Sequence, residues 1–406
     1  MSKVIVLGGC GAVGSIAVKT LVAADMFSEI VIGDMNIEKA QSIASELSSQ
    51  GASTTVSAVK LDASDAASVK NAIEGSDIVL NCVGPFYKTV KNILQTVIES
   101  GINYIDICDD VDVTLEILDM DADAKAAGIT ALIGMGASPG ATNLLAKFIS
   151  DNMLDETESI DIFHTHGGEP TEGAGVIGHR FHCMSIDIPM YLDGKLEYVK
   201  YFEESGIALR QEFDFPVVGK VPLYPYPHPE QVTMPKYIDV AQVTNKGSVL
   251  PIEYYKLIGE LCRLGLASKE PLDVGGQSVV PNDFATAFVI RERDRILKET
   301  NFGEQRGAMS ILVAGKKDGK REEYRVHTAS LGRALGEGTG IPAALGVILM
   351  KQGKITAKGV LPPEGCVDPM DFIGLAKSMG AYEEKKEGGL IVEKIDADGN
   401  KTTIDI

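Results

Sequence analysis

The sequence predicts an α/β fold, a doubly wound parallel sheet at the amino end joined to a second, α+β domain, and three observations lead there. Short apolar, β-branched runs alternate with amphipathic stretches over residues 1–140, the order that makes a parallel sheet with helices on its faces. The first run, Met1 to Leu7, leads into Gly9, Gly11 and Gly14, spaced G-x-G-x-x-G at the start of a helix. From Ser159 the alternation stops, and hairpin signals and a Pro-rich span take over.

Met1 to Leu7 has the composition of a strand buried on both faces. Gly9 makes the tight turn, Gly11 lets the main chain approach a pyrophosphate, and Gly14 lets the next helix pack on the strand. That helix, Ala12 to Ala24, turns its free N–H groups toward the phosphates, with Ala12 and Val13 in its first turn. A second strand, Glu29 to Gly33, ends in Asp34, twenty residues beyond Gly14, where an acid takes the ribose hydroxyls. Asp34, followed by Met35, favours NAD because a carboxylate repels a 2′-phosphate; Lys39 leaves NADP open. After a helix over Ile37 to Ser48, the third strand, Thr55 to Leu61, runs into Asp62 and Ala63 beside the adenine. Asp62 either accepts from the adenine amino group or caps the helix begun near Ser64 or Asp65. The fourth strand ends in Asn81, Cys82, Val83, Gly84 and Pro85, a loop expected near the nicotinamide ribose. Phe86 and Tyr87 then wall the cleft or simply pack.

A helix from Thr89 to Ser100 stops at Gly101. The fifth strand, Asn103 to Cys108, delivers Asp109, Asp110 and Asp112, and the sixth, Thr130 to Met135, ends in the segment Gly134 to Gly140 that opens a helix at Ala141. This is a Rossmann-type domain over 1–140.

An α+β substrate and dimerisation domain is expected over 141–333. It contains a strand at Ile160 to His164, a hairpin turning at Asp193-Gly194 and helices at Ile252 to Leu264 and Asn282 to Lys298. Another hairpin turns at Asp318-Gly319. Phe215 to Tyr237, rich in Pro, is not expected to form a regular central element, and Tyr224, Tyr226 and His228 are expected to pack within it. The segment 334–406 is expected to return to the first domain through an apolar helix, Gly340 to Lys351, and to finish in a hairpin over 388–406.

The bulk numbers narrow the function. A chain of 406 residues exceeds one core. A net charge of −19 argues against nucleic acid and anionic membrane as partners. No apolar run approaches membrane-spanning length, and the first strand leaves no room for a signal peptide. Cys10, Cys82, Cys108, Cys183, Cys262 and Cys366 show no C-x-x-C spacing, so reduced thiols in a cytoplasm are expected.

Four stretches, VLGGCGAVG, NCVGPF, GMGASPGATNLLA and GTGIPAALGVILMKQGKI, with HTHGGEP at 164–170, resemble the saccharopine dehydrogenase-like family, which includes saccharopine reductase and lysine 6-dehydrogenase. The resemblance implies an NAD(P)-dependent oxidoreductase acting on a C–N bond of an amino-acid-derived substrate, and a homodimer. The chain departs from saccharopine reductases at Ser138, at Thr142-Asn143 and at Arg180-Phe181-His182-Cys183-Met184, all expected on the substrate side. Amine oxidation needs a neutral nitrogen, so a group titrating near neutrality suits the proton removal. His166, His179 and His182, with Asp109, are the candidates, and His164 alternates with His166 on one strand face. Arg180 is the candidate clamp for a substrate carboxylate, and Asp106 and Asp109 for an ammonium, with Phe86, Tyr87 and Ser138 beside them. A metal held by His164, His166, His179 and His182 is possible by ligand type, but the resemblance implies none. Two rival readings are a lysine 6-dehydrogenase and a catalytically silent NAD(P)-binding sensor or scaffold.

Overall fold

The structure is a computed structural model that describes residues 2–49, 53–169, 172–331, 335–381 and 390–405. Met1, Pro170 of the HTHGGEP stretch, the 333/334 boundary, and Gly388, Gly389 and Ile406 of the terminal segment lie outside the described residues. The chain divides into two units, residues 1–151 with 334–383, and residues 152–333 with 384–406.

The first unit begins with strands β1 (Lys3–Leu7), β2 (Glu29–Asp34), β3 (Thr55–Lys60), β4 (Ile78–Asn81), β5 (Asn103–Asp106) and β6 (Thr130–Leu132). Between and after them lie α1 (Ala12–Ala24), α2 (Ile37–Ser48), α3 (Ala66–Ile73), α4 (Phe86–Glu99), α5 (Val111–Leu118), α6 (Asp121–Ala126) and α7 (Ala141–Asn152). Val4, Ile5, Val6 and Leu7 have no exposed surface, which is why the run is continuously apolar rather than alternating. Helices cover the sheet through Val90, Ile93, Leu94 and Val97 of α4 and Val113 and Ile117 of α5, all in one core with Ile5, Leu7 and Tyr104.

The second unit comprises β7 (Glu156–Gly167), α8 (Ala174–Ser185), β8 (Ile188–Leu192), β9 (Lys195–Val199), α9 (Glu204–Ile207), β10 (Gln211–Phe215), β11 (Gly219–Pro225) and α10 (Glu230–Thr233). It continues through β12 (Gln242–Leu250), α11 (Ile252–Arg263), β13 (Leu272–Val274), β14 (Gln277–Val279), α12 (Pro281–Glu299), β15 (Arg306–Lys317) and β16 (Lys320–Leu331). The chain then contributes α13 (Leu335–Lys351), β17 (Gly359–Leu361), α14 (Pro363–Cys366) and α15 (Pro369–Ser378) to the first unit and returns with β18 (Leu390–Ile395) and β19 (Lys401–Thr403).

The first sheet has seven strands in the order β17-β6-β5-β4-β1-β2-β3, every pairing parallel. Strand order reverses between β1 and β4, which is where ligands sit in open α/β sheets. The second sheet has ten strands and runs β10-β11-β12-β7-β15-β16-β18-β19, with β8 and β9 alongside β12. Helices α8, α11 and α12 pack Phe181, Tyr254, Tyr255, Ile258 and Val289 with Val249 of β12.

Three expectations are corrected. The first unit runs past residue 140 to 151, because the Asn143 Nδ2 of α7 donates to Glu364 Oε2 of α14 at 2.8 Å and binds that helix to the returning segment. The terminal hairpin joins the second sheet, not the first: β18 pairs antiparallel with β16 and buries Val392. Part of the Pro-rich span is a strand, since Pro222 pairs with Glu212 and Pro225 with Lys246. Only Tyr224 and Pro225 of β11 pair with β12, so the missing Pro donors fall where the ladder is short.

Candidate functional site

In the first unit the site is built at the C-terminal ends of the parallel strands. Gly8 N donates to Gly33 O at 2.7 Å and Gly11 N to Gly8 O at 3.0 Å, closing the turn. A Cβ on Gly14 would stand 2.3 Å from Gly8 O, and one on Gly9 2.8 Å from the Ile32 side chain, so neither position admits a larger residue. Gly11 and Ala12 are exposed, and no side chain caps α1. Its first-turn amides, with Val13 and Gly14, could cradle a pyrophosphate.

Asp34 closes the cradle from β2. Its Oδ2 accepts from Cys10 N and its Oδ1 from Asn36 N, both at 3.0 Å, while Lys39 Nζ donates to Cys10 O at 2.9 Å. A carboxylate and an ammonium therefore hold the two peptides that flank Cys10 in the glycine turn. Met35 is 68% exposed beside them. Asp62 is exposed and accepts from Ser64 N and Ser64 Oγ, which hold its carboxyl below the usual range. The cap of α3 is Asp65, which accepts from Ala67 N, so the capping alternative for Asp62 does not hold. Ala63 is half-buried and packs on the core.

Asn81 is fully buried: its Nδ2 donates to Tyr104 Oη at 2.9 Å and its Oδ1 accepts from Val83 N at 3.0 Å. It shapes the loop of Cys82, Val83, Gly84 and Pro85 rather than facing a ligand itself. Gly84 is exposed, with nothing within 4 Å of where a Cβ would lie. Phe86 packs on the core, and Tyr87 N donates to Asp110 Oδ2 at 2.9 Å.

Asp106 is also fully buried; its Oδ1 accepts from Gly134 N and Cys108 N. Burial pushes its carboxyl up to about 6, so it braces the β5 and β6 ends and offers no exposed carboxylate to an ammonium. Asp109 is half-buried on the β5–α5 loop and Ser138 half-buried in the turn between Gly136 and Gly140. Thr142 and Asn143 have no exposed surface, and Asn143 Oδ1 accepts from Gly140 N. That departure from saccharopine reductases is structural, not on the substrate side.

In the second unit, α8 is two-faced. Ile177, Arg180, Phe181 and Met184 are buried, and Gly175, Gly178, His179 and His182 share the opposite face by helical spacing. A Cβ on Gly175 or Gly178 would meet nothing within 4 Å, and the two histidines are half-buried. Arg180 is corrected as a carboxylate clamp. It is 3% exposed, and its Nη1 and Nη2 donate to the two Glu172 oxygens at 2.8 and 2.7 Å, with Tyr254 Oη a further partner of Nη1 at 3.0 Å. Burial opposes its charge, but Glu172 outweighs burial and raises it. Burial would likewise raise Glu172, yet Arg180, Tyr254 and Arg293 bring it down to about 2.

His166 Nδ1 lies 2.6 Å from Glu169 Oε1. His164, on the same face of β7, lies over Gly247 of β12, where a Cβ would approach its ring to 2.0 Å. Burial first, then the neighbouring His228 and His166, push His164 down to about 3. It is neutral at physiological pH. His179 Nε2 is 3.4 Å from both Tyr226 Oη and Cys183 Sγ, and the Tyr226 ring meets His164 edge-on with centroids 4.9 Å apart. The fold thus gathers His164, His179 and Tyr226. It sets His166 on its own acid and turns Arg180 inward. Glu172, Glu230 and Asn245 were not foreseen; the one signal for Glu230 was the His-Pro-Glu spacing from His228.

No helix among the described residues is long and apolar enough to cross a membrane. Residues 4–132 match the model of the saccharopine dehydrogenase NADP binding domain. The chain is 24% identical to carboxyaminopropylagmatine dehydrogenase of Synechocystis sp. over 94% of its own length and 96% of that protein's. It is 24% identical to carboxynorspermidine synthase of Vibrio cholerae, over 90% and 94%. Apo saccharopine dehydrogenase (L-Glu forming) of Saccharomyces cerevisiae has the same fold, with a TM-score of 0.66 at 14% identity over 100% of both chains. With the glycine turn, the acid ending β2 and the strand order on which both depend, residues 4–132 form a domain of the saccharopine dehydrogenase NADP binding type, and the chain is similar over nearly its whole length to the NAD(P)-dependent dehydrogenases named above.

Proposed function

We propose that this protein is a dehydrogenase that oxidises, or in reverse forms by imine reduction, the C–N bond of a carboxylated polyamine. The observation that carries the reading is the match of both units to relatives whose names each contain a carboxylated amine, over at least nine-tenths of the chain. Charge supports it. Asp109, Asp110 and Asp112 follow β5, and the chain carries −19 overall, which suits a polycation better than an adduct of two amino acids rich in carboxylates. The inward turn of Arg180 removes the one carboxylate clamp the sequence offered.

Bound NAD(P) supplies the two-electron acceptor or donor. The chain's own part begins with the α1 amides and Asp34, which orient the phosphates and the adenosine ribose. The Gly84-Pro85 loop, shaped by buried Asn81, borders the reactive end, and Tyr226 with His179 offers groups that can exchange a proton.

Absorbance at the nicotinamide wavelength tests the reading with carboxyaminopropylagmatine, carboxynorspermidine, saccharopine and lysine, each with NAD⁺ and NADP⁺. Turnover of a carboxylated polyamine alone is expected. Turnover of lysine alone makes the protein a lysine 6-dehydrogenase. Cofactor binding without turnover of any compound makes it a sensor.

A further inference from the structure

Asn81, Tyr104 and Asp106 are polar, wholly buried, and gathered at the ends of two paired strands of the first unit. Asn81 closes β4 opposite Asp106, and Tyr104 lies two residues before Asp106 on the same face of β5. Buried polar groups persist only where they are hydrogen-bonded, and here the donors run in one direction. Val83 N donates to Asn81 Oδ1 at 3.0 Å, and Asn81 Nδ2 donates to Tyr104 Oη at 2.9 Å. The Tyr104 hydroxyl still has its own proton to give, and the Asp106 carboxyl is the acceptor beside it. That link is looser than the others: Asp106 Oδ2 makes no well-formed hydrogen bond among the described residues, yet the hydroxyl favours the charged carboxyl. Gly134 N and Cys108 N donate to Asp106 Oδ1 at 2.7 and 3.0 Å and fix its other side.

The other end of this chain of bonds reaches the cofactor side of the same unit. Cys82 N donates to Leu7 O at 2.9 Å, and a Cβ on Gly8 would stand 2.9 Å from Cys82 O and 3.1 Å from the Val83 side chain. A shift of Val83 therefore presses on the turn that opens the glycine motif. The Asn81 amide has two orientations, and matching donors to acceptors selects between them. With Asp106 ionised, the Tyr104 hydroxyl donates to it, the Tyr104 oxygen accepts from Asn81 Nδ2, and Oδ1 is left to accept from Val83 N. With Asp106 protonated, its own O–H can donate to Tyr104 Oη. The tyrosine proton then needs Asn81 Oδ1, and Nδ2 is turned toward Val83 N, where two donors meet. Burial pushes the Asp106 carboxyl up to about 6, so both arrangements are within reach near neutral pH.

We propose that Asn81, Tyr104 and Asp106 are positioning residues for the nicotinamide cofactor, a buried relay whose polarity, set by the charge on Asp106, holds the Val83 amide and the Cys82–Pro85 loop in the cofactor-binding form. The inference rests on the cofactor site of the first unit and not on the substrate proposed above. One proton enters from solvent and binds the Asp106 carboxylate; no other covalent bond changes, and the hydrogen bonds along the relay reverse. The titratable groups facing Asp106 are Tyr104 on its own strand, the Cys82 thiol after β4, and the Cys108 thiol and Asp109 after β5. Both thiols are neutral because burial pushes them up, Cys82 to about 12. Asp109, a like charge, acts with burial in favouring the protonated acid.

The experiment titrates the full-length wild type, Asp106→Asn and Tyr104→Phe with NADPH, by fluorescence, between about pH 5.5 and 8, with circular dichroism at each pH. From the alkaline to the acidic end, wild-type affinity should fall about three- to tenfold further than that of Asp106→Asn. The comparison cancels the titration of the cofactor's own 2′-phosphate. Asp106→Asn is neutral throughout and should bind weakly even at the alkaline end. Tyr104→Phe keeps the carboxylate but cuts the relay, so its slope should match that of Asp106→Asn; it decides the matter if Asp106→Asn does not fold. The wild type alone also decides with NADH, which has no 2′-phosphate: a flat profile overturns the proposal. So does a wild-type slope in either variant, the result of a merely structural role, or wild-type affinity in Asp106→Asn at the alkaline end. A wild type that binds neither reduced cofactor at any pH removes the cofactor site, and this inference with it.

Discussion

The proposed cofactor site puts a carboxylate and an ammonium within a few atoms of Cys10. Asp34 uses one lone pair of each oxygen on the Cys10 and Asn36 amides, and each oxygen keeps a second for a ribose hydroxyl. Lys39, whose ammonium sits on Cys10 O, brings a positive charge to the same turn, and it is the group a 2′-phosphate would seek. The two side chains therefore pull in opposite directions. Asp34→Ser should weaken NADH roughly tenfold, the loss of about 1.4 kcal/mol, and leave NADPH equal or tighter. Lys39→Ala should weaken NADPH and spare NADH. Fluorescence titration with both reduced cofactors separates these outcomes from a bracing role alone, in which Asp34→Ser would weaken the two cofactors equally.

At the scale of elements, α8 shows what the sequence concealed. Gly175 and Gly178 each cost a helix about 1 kcal/mol relative to Ala, so local pattern argued against one here. The helix forms because Ile177, Phe181 and Met184 lie in the core with Tyr254 and Ile258, and because Arg180 is locked to Glu172. Glu172→Gln would leave that guanidinium buried without its counter-charge, at a cost of about 3–5 kcal/mol, read as a lower urea midpoint. The pH sign follows from the shift: a carboxyl at about 2 in the fold, against 4.5 ordinarily, stabilises above 4.5 and loses that effect as pH falls toward 2. The contribution is about 3 kcal/mol. An unchanged acid limb of stability in Glu172→Gln would mean that another carboxylate carries it. The strands of the first unit were legible for the opposite reason: Val4 to Leu7, Ile30 to Ile32 and Ile78 to Leu80 are apolar on both faces, a pattern that needs no tertiary information. Proline misled at β11, where pairing with β12 is too short to need the missing donors. The Tyr254 that meets Arg180 comes from α11, 74 residues away, and no spacing rule reaches it.

For the whole molecule, the decisive fact is that the first unit is discontinuous in sequence. The returning segment adds β17 beside β6 and lays α13 along α1. Helix α13 can lie so near because it carries glycine at the contact: a Cβ on Gly336 would fall 2.5 Å from Ala12 O, and one on Gly340 2.7 Å from Val13 O. Both obstacles are backbone, so no side-chain rotation relieves them. Ala12 and Val13 are also the first turn of α1, whose amides form the phosphate cradle. The distant GTGIPAALG stretch thus sets the position of the opening glycine motif. Overpacking of this kind costs about 1–3 kcal/mol; if about half of that is felt at the cradle, Gly340→Ala should raise the NADPH dissociation constant by about two- to tenfold. Because residue 340 lies against α1, kcat at saturating cofactor should stay near wild type. A normal dissociation constant beside a lowered thermal midpoint would show that α13 alone absorbs the strain and that α1 is held by its own strand.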